Sequence, residues 1–151
     1  HTAKRHQTVD SALRFTTAFP QDKRTPQVML KAAEELLDLK RVGEASKVAQ
    51  QVIEIERNKK KADVKLLASA WAIVATAEFD LGNYANAEQA SLARLRLKLP
   101  KDKDRQTHVD RLAAAIYKQG EQAKAQGDYM GAADQFLRIG QVAPSKFQQA
   151  H

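Results

Sequence analysis

The sequence has no cysteine, which excludes disulfides and thiolate metal sites and leaves the redox compartment unmarked. Aromatic residues make up only 6%, and there are six glycines and four prolines in 151 residues, so there is little from which to build a sheet. No apolar run approaches the roughly 20 residues that cross a bilayer, and no signal peptide opens the chain. The first residue is His1 rather than Met, so the chain reads as a processed protein or an excised piece, and a missing signal says nothing about location. Catalytic patterns are missing too. There is no HExxH, no Gly-x-Ser-x-Gly and no glycine-rich loop after a strand. The histidines are His1, His6, His108 and His151, three of them near the chain ends and none at metal-ligand spacing from a carboxylate. The adjacent Glu34 and Glu35 would point about 100° apart on a helix and share no site. Neither a cofactor, a metal nor an enzymatic activity is expected.

What the chain does contain is Ala, Leu, Lys, Glu and Gln in abundance, a helix-forming composition, and a formal net charge of +7 that attracts anionic partners weakly at long range. An all-α fold is the first expectation. Thr25 as a cap and Pro26 in the first turn predict a helix to about Leu39, with Met29, Ala32, Ala33, Leu36, Leu37 and Leu39 on one broad stripe. After a break at Lys40 and Arg41, Val42, Ala45, Val48, Ala49, Val52, Ile53 and Ile55 predict its antiparallel partner. The segment 56–63 is polar and aperiodic, hence a connection. A longer helix is expected from Val64 to Leu81, then a turn at Gly82 with Asn83 as cap, and a helix ending near Leu99 at Pro100. KDKDRQ reads as a polar linker, with Thr107 and Asp110 forming a capping box for a helix to about Ala125. Gly127 stops that helix. Asp128 caps the last one, whose stripe is Ala132, Phe136, Leu137 and Ile139 before Pro144.

The turn Leu-Gly-Asn-Tyr-Ala-Asn-Ala at 81–87 returns as Gln-Gly-Asp-Tyr-Met-Gly-Ala at 126–132 because the hairpin returns. These residues resemble the tetratricopeptide repeat family, whose pattern runs W-x2-L-G-x2-Y, then A-x3-F, then P. In 68–101, Trp71, Leu81-Gly82-Asn83-Tyr84 and Ala87 match; in 113–146, Gly120, Gly127-Asp128-Tyr129, Ala132, Phe136 and Pro144 match. The span 26–59 matches through Ala32-Ala33 and Ala45, with Lys40 in place of the elbow glycine. The resemblance implies one domain over 1–151: a partial repeat at 9–22 with Ala12, Phe15 and Phe19 as its apolar side, three repeats, and a truncated helix at 147–151. The separations from Lys40 to Gly82 (82 − 40 = 42) and from Gly82 to Gly127 (127 − 82 = 45) exceed the family's repeat of 34, so each junction carries extra residues in helices or loops. Phe19-Pro20-Gln21-Asp22 followed by Thr25-Pro26 further resembles bacterial-envelope members of the Tol-Pal coordinator and outer-membrane assembly lipoprotein type. That implies a periplasmic or envelope location, with the cytoplasm also compatible.

In the family, the first helix of each hairpin lines a concave groove. The resemblance places there Leu30, Glu34, Leu37 and Asp38, then Ala72, Thr76, Phe79 and Asp80, then Tyr117, Glu121 and Lys124. It implies a peptide or protein partner anchored by Leu30, Leu37, Phe79 and Tyr117, with Trp71 in the core. The alternative is an anionic polymer on a basic edge made of Arg57, Lys59, Lys60, Lys61 and Lys65 at one junction and Arg94, Arg96, Lys98, Lys101, Lys103 and Arg105 at the next. Nucleic acid is the weaker form of that alternative, since no aromatic residue stands within these runs to stack on bases. Phe136, Ile139 and Val142 on the final helix have little after them to cover them, so a longer parent protein or self-association is expected.

Overall fold

The computed structural model describes residues 2–143. Among them lie seven helices and no strand: α1 Thr2–Ala18, α2 Thr25–Asp38, α3 Val42–Arg57, α4 Val64–Asp80, α5 Tyr84–Arg96, α6 Arg105–Ala125 and α7 Tyr129–Val142. The all-α expectation is met. The suggested helix at 147–151, the stop at Pro144 and the terminal residues His1 and His151 lie outside the described residues. No helix of the described residues is long and apolar enough to cross a membrane.

One backbone motif makes all three tight turns. At the end of α2 the amide of Lys40 donates to the carbonyl of Leu37, and that of Arg41 to Leu36. At the end of α4 Gly82 donates to Phe79 and Asn83 to Glu78; at the end of α6 Gly127 donates to Lys124 and Asp128 to Ala123. This pair of bonds uses up carbonyls that a helix end leaves without partners, and it requires a left-handed residue at the turn. Gly82 and Gly127 both have φ of +80°, and Lys40 takes φ of +66°. The elbow therefore forms in the first hairpin although its glycine is missing. Five residues beyond each left-handed position stands an alanine, Ala45, Ala87 or Ala132, exposed by 4% or less. A larger side chain there would push the two helices of the hairpin apart.

Each helix packs on the next in sequence. In addition α2 packs on α4 and α4 on α6, whereas the backbones of α3 and α5, and of α5 and α7, stay apart, α5 and α7 being joined by the Glu88–Arg138 pair. The first helices of the hairpins thus form the more closely spaced row. The main core runs from Val9 of α1 through Ala33 and Leu36 of α2, Ala49 and Val52 of α3, and Ala70 and Val74 of α4 to Ala90 of α5. Small residues set the approach distances: Ala33, Ala45, Ala49 and Ala70 are wholly buried. At Gly120 a Cβ atom would come within 2.5 Å of the Phe136 ring, so glycine is what lets α7 seat that ring on α6.

Polar side chains tie the longer connections. The Thr25 hydroxyl donates to the Phe19 carbonyl at 2.6 Å, holding the α1–α2 turn. Glu56, fully buried, accepts from the Asp63 amide at 2.9 Å and from Lys59 Nζ at 2.6 Å, folding residues 58–63 over the end of α3. Buried Arg94 makes a two-pronged pair with Asp102 at 3.0 and 2.8 Å across residues 97–104. The extra length of the repeats accordingly sits in these connections and in the 17 and 21 residues of α4 and α6.

Several local expectations are corrected. Thr25 donates to Phe19 instead of capping α2, which starts after Arg24. Asn83 makes no side-chain cap, while Asp128 does cap, accepting from Gly131 N at 2.9 Å; the cap of α4 comes from Asp63 to Leu66 N. The helix expected to reach Leu99 ends at Arg96, because Leu97 is already extended. The capping box at Thr107 does not form, since α6 starts at Arg105 and Asp110 instead accepts from Gln106 one turn back. Phe19 is exposed, stacked on Phe15, and the buried side of α1 is Val9 and Thr16. Leu137 also faces outward.

The elbow can be tested by substitution. A side chain in the left-handed region costs roughly 1–2 kcal/mol, so Gly82→Ala and Gly127→Ala should each lower stability by about that amount. Lys40→Gly should raise it by up to about 1 kcal/mol, because the relief of strain is partly offset by the entropy of glycine in the unfolded chain. Urea unfolding of the three variants measures both effects.

Candidate functional site

The row of first helices contains every residue assigned to a groove, and the elbows put those residues in register. Counting back from Lys40, Gly82 and Gly127 aligns Leu30 with Ala72 and Tyr117, Glu34 with Thr76 and Glu121, and Leu37 with Phe79 and Lys124. The structure gathers only some of them. Thr76, Phe79 and Asp80 of α4 line a notch of about 270 Å³ between the second and third hairpins, with Ala75, Ser91 of α5 and Arg111 of α6. Its lining is mainly apolar and carries the Asp80 carboxylate and the Arg111 guanidinium. Phe79 is braced edge-on by Tyr84 at 5.0 Å between centroids, so the elbow after α4 fixes one wall.

Why the notch occurs here and not one hairpin earlier follows from the register. Sixteen residues before Gly127 stands Arg111, which is exposed; sixteen before Gly82 stands Leu66, which is buried. An aliphatic side chain at that position joins the core, whereas a guanidinium stays in water and leaves the space beside Phe79 open.

The other groove candidates lie elsewhere. Asp38 and Glu35 are both bound by Arg5 of α1, which holds the Asp38 carboxyl below its ordinary range. Leu30 and Leu37 are half-buried against the core. Glu34, Glu121 and Lys124 are exposed, with Lys118 Nζ 3.5 Å from Glu121, and Ala72 is half-buried away from the notch. Tyr117 tilts against Phe136 of α7 at 5.5 Å and is 48% exposed. Trp71, expected in the core, packs there with part of its surface while the Arg57 guanidinium lies over its ring at 5.6 Å.

The basic edge is also thinner than its sequence suggests. Arg94 is buried on Asp102, Arg57 covers Trp71, Lys59 pairs with Glu56, and Arg105 donates to the Leu95 carbonyl at 3.0 Å. Lys60, Lys61, Lys65, Arg96, Lys98, Lys101 and Lys103 remain exposed and outside any ion pair among the described residues. Lys101 is held with φ of +53°.

Sequence reasoning missed the buried polar groups that hold the third hairpin to the second. Glu88 of α5, 5% exposed, accepts from Gln119 of α6 at 2.7 Å and pairs with Arg138 of α7. His108, also 5% exposed, stands between the Arg94 and Arg111 charges with its Nδ1 lacking a hydrogen-bond partner. The signal was the elbow register: Arg94 falls where α3 has the buried Val52, so a charge was due on a core-facing position.

Comparison of the chain with protein-family models, with curated proteins and with solved structures finds no match.

Burial, followed by the Arg94 and Arg111 charges, lowers the His108 pKa below its ordinary 6.5, against the smaller opposing pull of Asp104 and Asp102. The unfolded chain therefore takes up this proton first on acidification. His108 contributes stability in full above about pH 6.5, and that contribution falls as pH drops from 6.5 towards the depressed folded value. Urea midpoints between pH 5 and 7.5 should decline on the acid side and flatten in His108→Gln, whereas loss of the Asp102 carboxylate belongs below the ordinary aspartate range. Asp102→Ala strands the Arg94 charge and should cost about 3–5 kcal/mol.

Proposed function

We propose that this chain is a non-catalytic scaffold of the tetratricopeptide type, a stack of helical hairpins that receives a segment of another polypeptide along its row of first helices. The observation that carries the reading is the notch beside Phe79, closed at the far side by Arg111. The recurrence of one elbow three times, with the row α2, α4 and α6 in closer contact than the outer helices, supports a stack bent towards that row. A notch of this size takes one aliphatic or aromatic side chain, and burying such a side chain is worth about 1.5–3 kcal/mol. Asp80 and Arg111 would engage the flanking backbone and charges and fix the direction of the segment.

A second reading keeps the anionic polymer on the lysine edge. It rests on the exposure of Lys60, Lys61 and Lys65 and of Lys98, Lys101 and Lys103 at the two connections. Those connections share one side of the stack, since short elbows make successive helices antiparallel and collect the elbows at the other side. The groove reading is preferred because four of the edge cations are already engaged within the fold.

Selection of a displayed library of random dodecapeptides on the chain tests both. Peptides enriched on the groove should share a large apolar residue, bind about as well at high salt as at low, and lose about tenfold or more in affinity with Phe79→Ala and with the exposed Arg111→Ala. Enrichment of acidic peptides whose affinity collapses with salt and with Lys60→Glu and Lys61→Glu would move the function to the edge. Enriched peptides indifferent to all four changes would refute both.

A further inference from the structure

The opposite side of α4 carries a second cleft, of about 330 Å³, between the outer helices α3 and α5. Its floor is apolar, made by Ile53, Val74 and Ala90, and one wall is the Trp71 indole. Around this lie planar polar groups. Gln50, Glu54 and Arg57 come from α3, Asn86 and Gln89 from α5, and Glu78 from α4. Glu78 is only 9% exposed and accepts from Asn86 Nδ2 at 3.0 Å. Gln50 donates its amide to Ser46 Oγ at 2.9 Å, which leaves its carbonyl oxygen as an acceptor.

The elbow register shows that packing does not require these residue types. Trp71 stands eleven residues before its elbow residue, where α2 has Met29 and α6 has Ile116, exposed by 6% and 0%. Glu78 stands four before, where α2 has the wholly buried Leu36 and α6 has Ala123. An apolar side chain suffices at both positions in the flanking hairpins. A nearly buried carboxylate carries a desolvation cost, and at this register position only the middle hairpin bears it.

The lining also narrows the occupant. An anion would face Glu54 and Glu78. A purely apolar molecule would strip water from five or more polar side chains without replacing their hydrogen bonds. A cation over the indole would find that place held by Arg57. A neutral polyhydroxylated ring brings no charge for Arg57 or the carboxylates to oppose: its C–H face packs on the indole once the exposed Arg57 side chain turns aside, and its neighbouring hydroxyls bridge the paired donors and acceptors of amide, carboxylate and guanidinium groups. The geometry points to a binding site for a neutral saccharide unit on the outer side of the middle hairpin, with Trp71 as platform and Gln89, Asn86 and Glu54 as its polar contacts. The site shares no residue with the notch beside Phe79, so it stands or falls independently of peptide binding there.

Trp71 is the chain's single tryptophan, so its emission reports on this cleft alone. The whole chain is titrated with glucose, N-acetylglucosamine and maltose, and with arginine amide as the cationic competitor, while the side-chain amide resonances of Asn86 and Gln89 are followed by NMR. Saturable changes with at least one of the sugars, at a dissociation constant of about millimolar, are expected. Gln89→Ala and Glu54→Ala, both at exposed positions, should each weaken binding about tenfold with the urea midpoint unchanged. No saturable change in either signal with any of the three sugars overturns the proposal. So does binding that both variants leave intact. Saturation by arginine amide without sugar binding also overturns it and assigns the cleft to a basic side chain of a partner.

Discussion

Each helix pair in this chain can bury its apolar stripe only against its neighbours, so everything depends on how closely consecutive helices are allowed to approach. The approach is set twice. The elbow, with its left-handed residue and its two backbone bonds, fixes the exit of one helix and the entry of the next. The buried alanine five residues on then lets the second helix lie against the first. Because the same geometry is made at Lys40, Gly82 and Gly127, equivalent positions in the three hairpins fall on equivalent faces. Differences between them become informative: Leu66 against Arg111 opens the inner notch, and Leu36 against Glu78 gives the outer cleft its nearly buried carboxylate.

Polar groups do a different task from the apolar stripes. Glu56 and Arg94 are each nearly or wholly buried, and each folds the connection that follows its own helix. The Glu88, Gln119 and Arg138 cluster instead joins three helices. Such pairs contribute little net stability compared with apolar residues of the same size, but breaking one is costly, so they penalise misregistered packing strongly. A stack whose interfaces are mostly alanine needs that penalty, since flat small-residue faces slide past one another with little loss of contact.

How much was legible in the sequence divides along the same line. The helix pairs from α2 onward, the two glycine elbows and the helix-facing alanines follow from periodicity and from glycine itself and stand in the structure, while helix ends differ, α1 running over Thr2–Ala18 instead of 9–22 and α5 ending at Arg96. The Lys40 elbow has no local signal. It is imposed by the packing of Leu36 and Ala45, which overrides the preference of a lysine for negative φ. The groove candidates follow from position along the first helices, and of them Thr76, Phe79 and Asp80 meet at the notch. Whether a position on the row is open depends also on a residue from a neighbouring hairpin, distant in sequence, as Arg111 and Leu66 show. Arg5 removing Asp38 is the same effect across α1 and α2.

The last helix shows what a hairpin looks like when that following residue is lacking among the described ones. Gln135, Phe136 and Ile139 of α7 stand in register with Val48, Ala49 and Val52 of α3, which are buried beneath α4, yet all three remain half-exposed. Tyr129, Met130 and Leu137 are more exposed still, and Ala132 is the one fully buried residue of α7. What holds the helix is therefore the Phe136 ring over Gly120, the Asp128 cap and the reach of Arg138 back to Glu88. Two of these three are polar and partly open to solvent, and hydrogen bonds of that kind net about 1 kcal/mol each. The third is one ring against one helix. A helix so attached opens at a lower free energy than the hairpins inside the stack, and it does so without disturbing α4, because among the described residues α7 packs on α6 and reaches α5 through the Arg138–Glu88 pair, with no packing on α4.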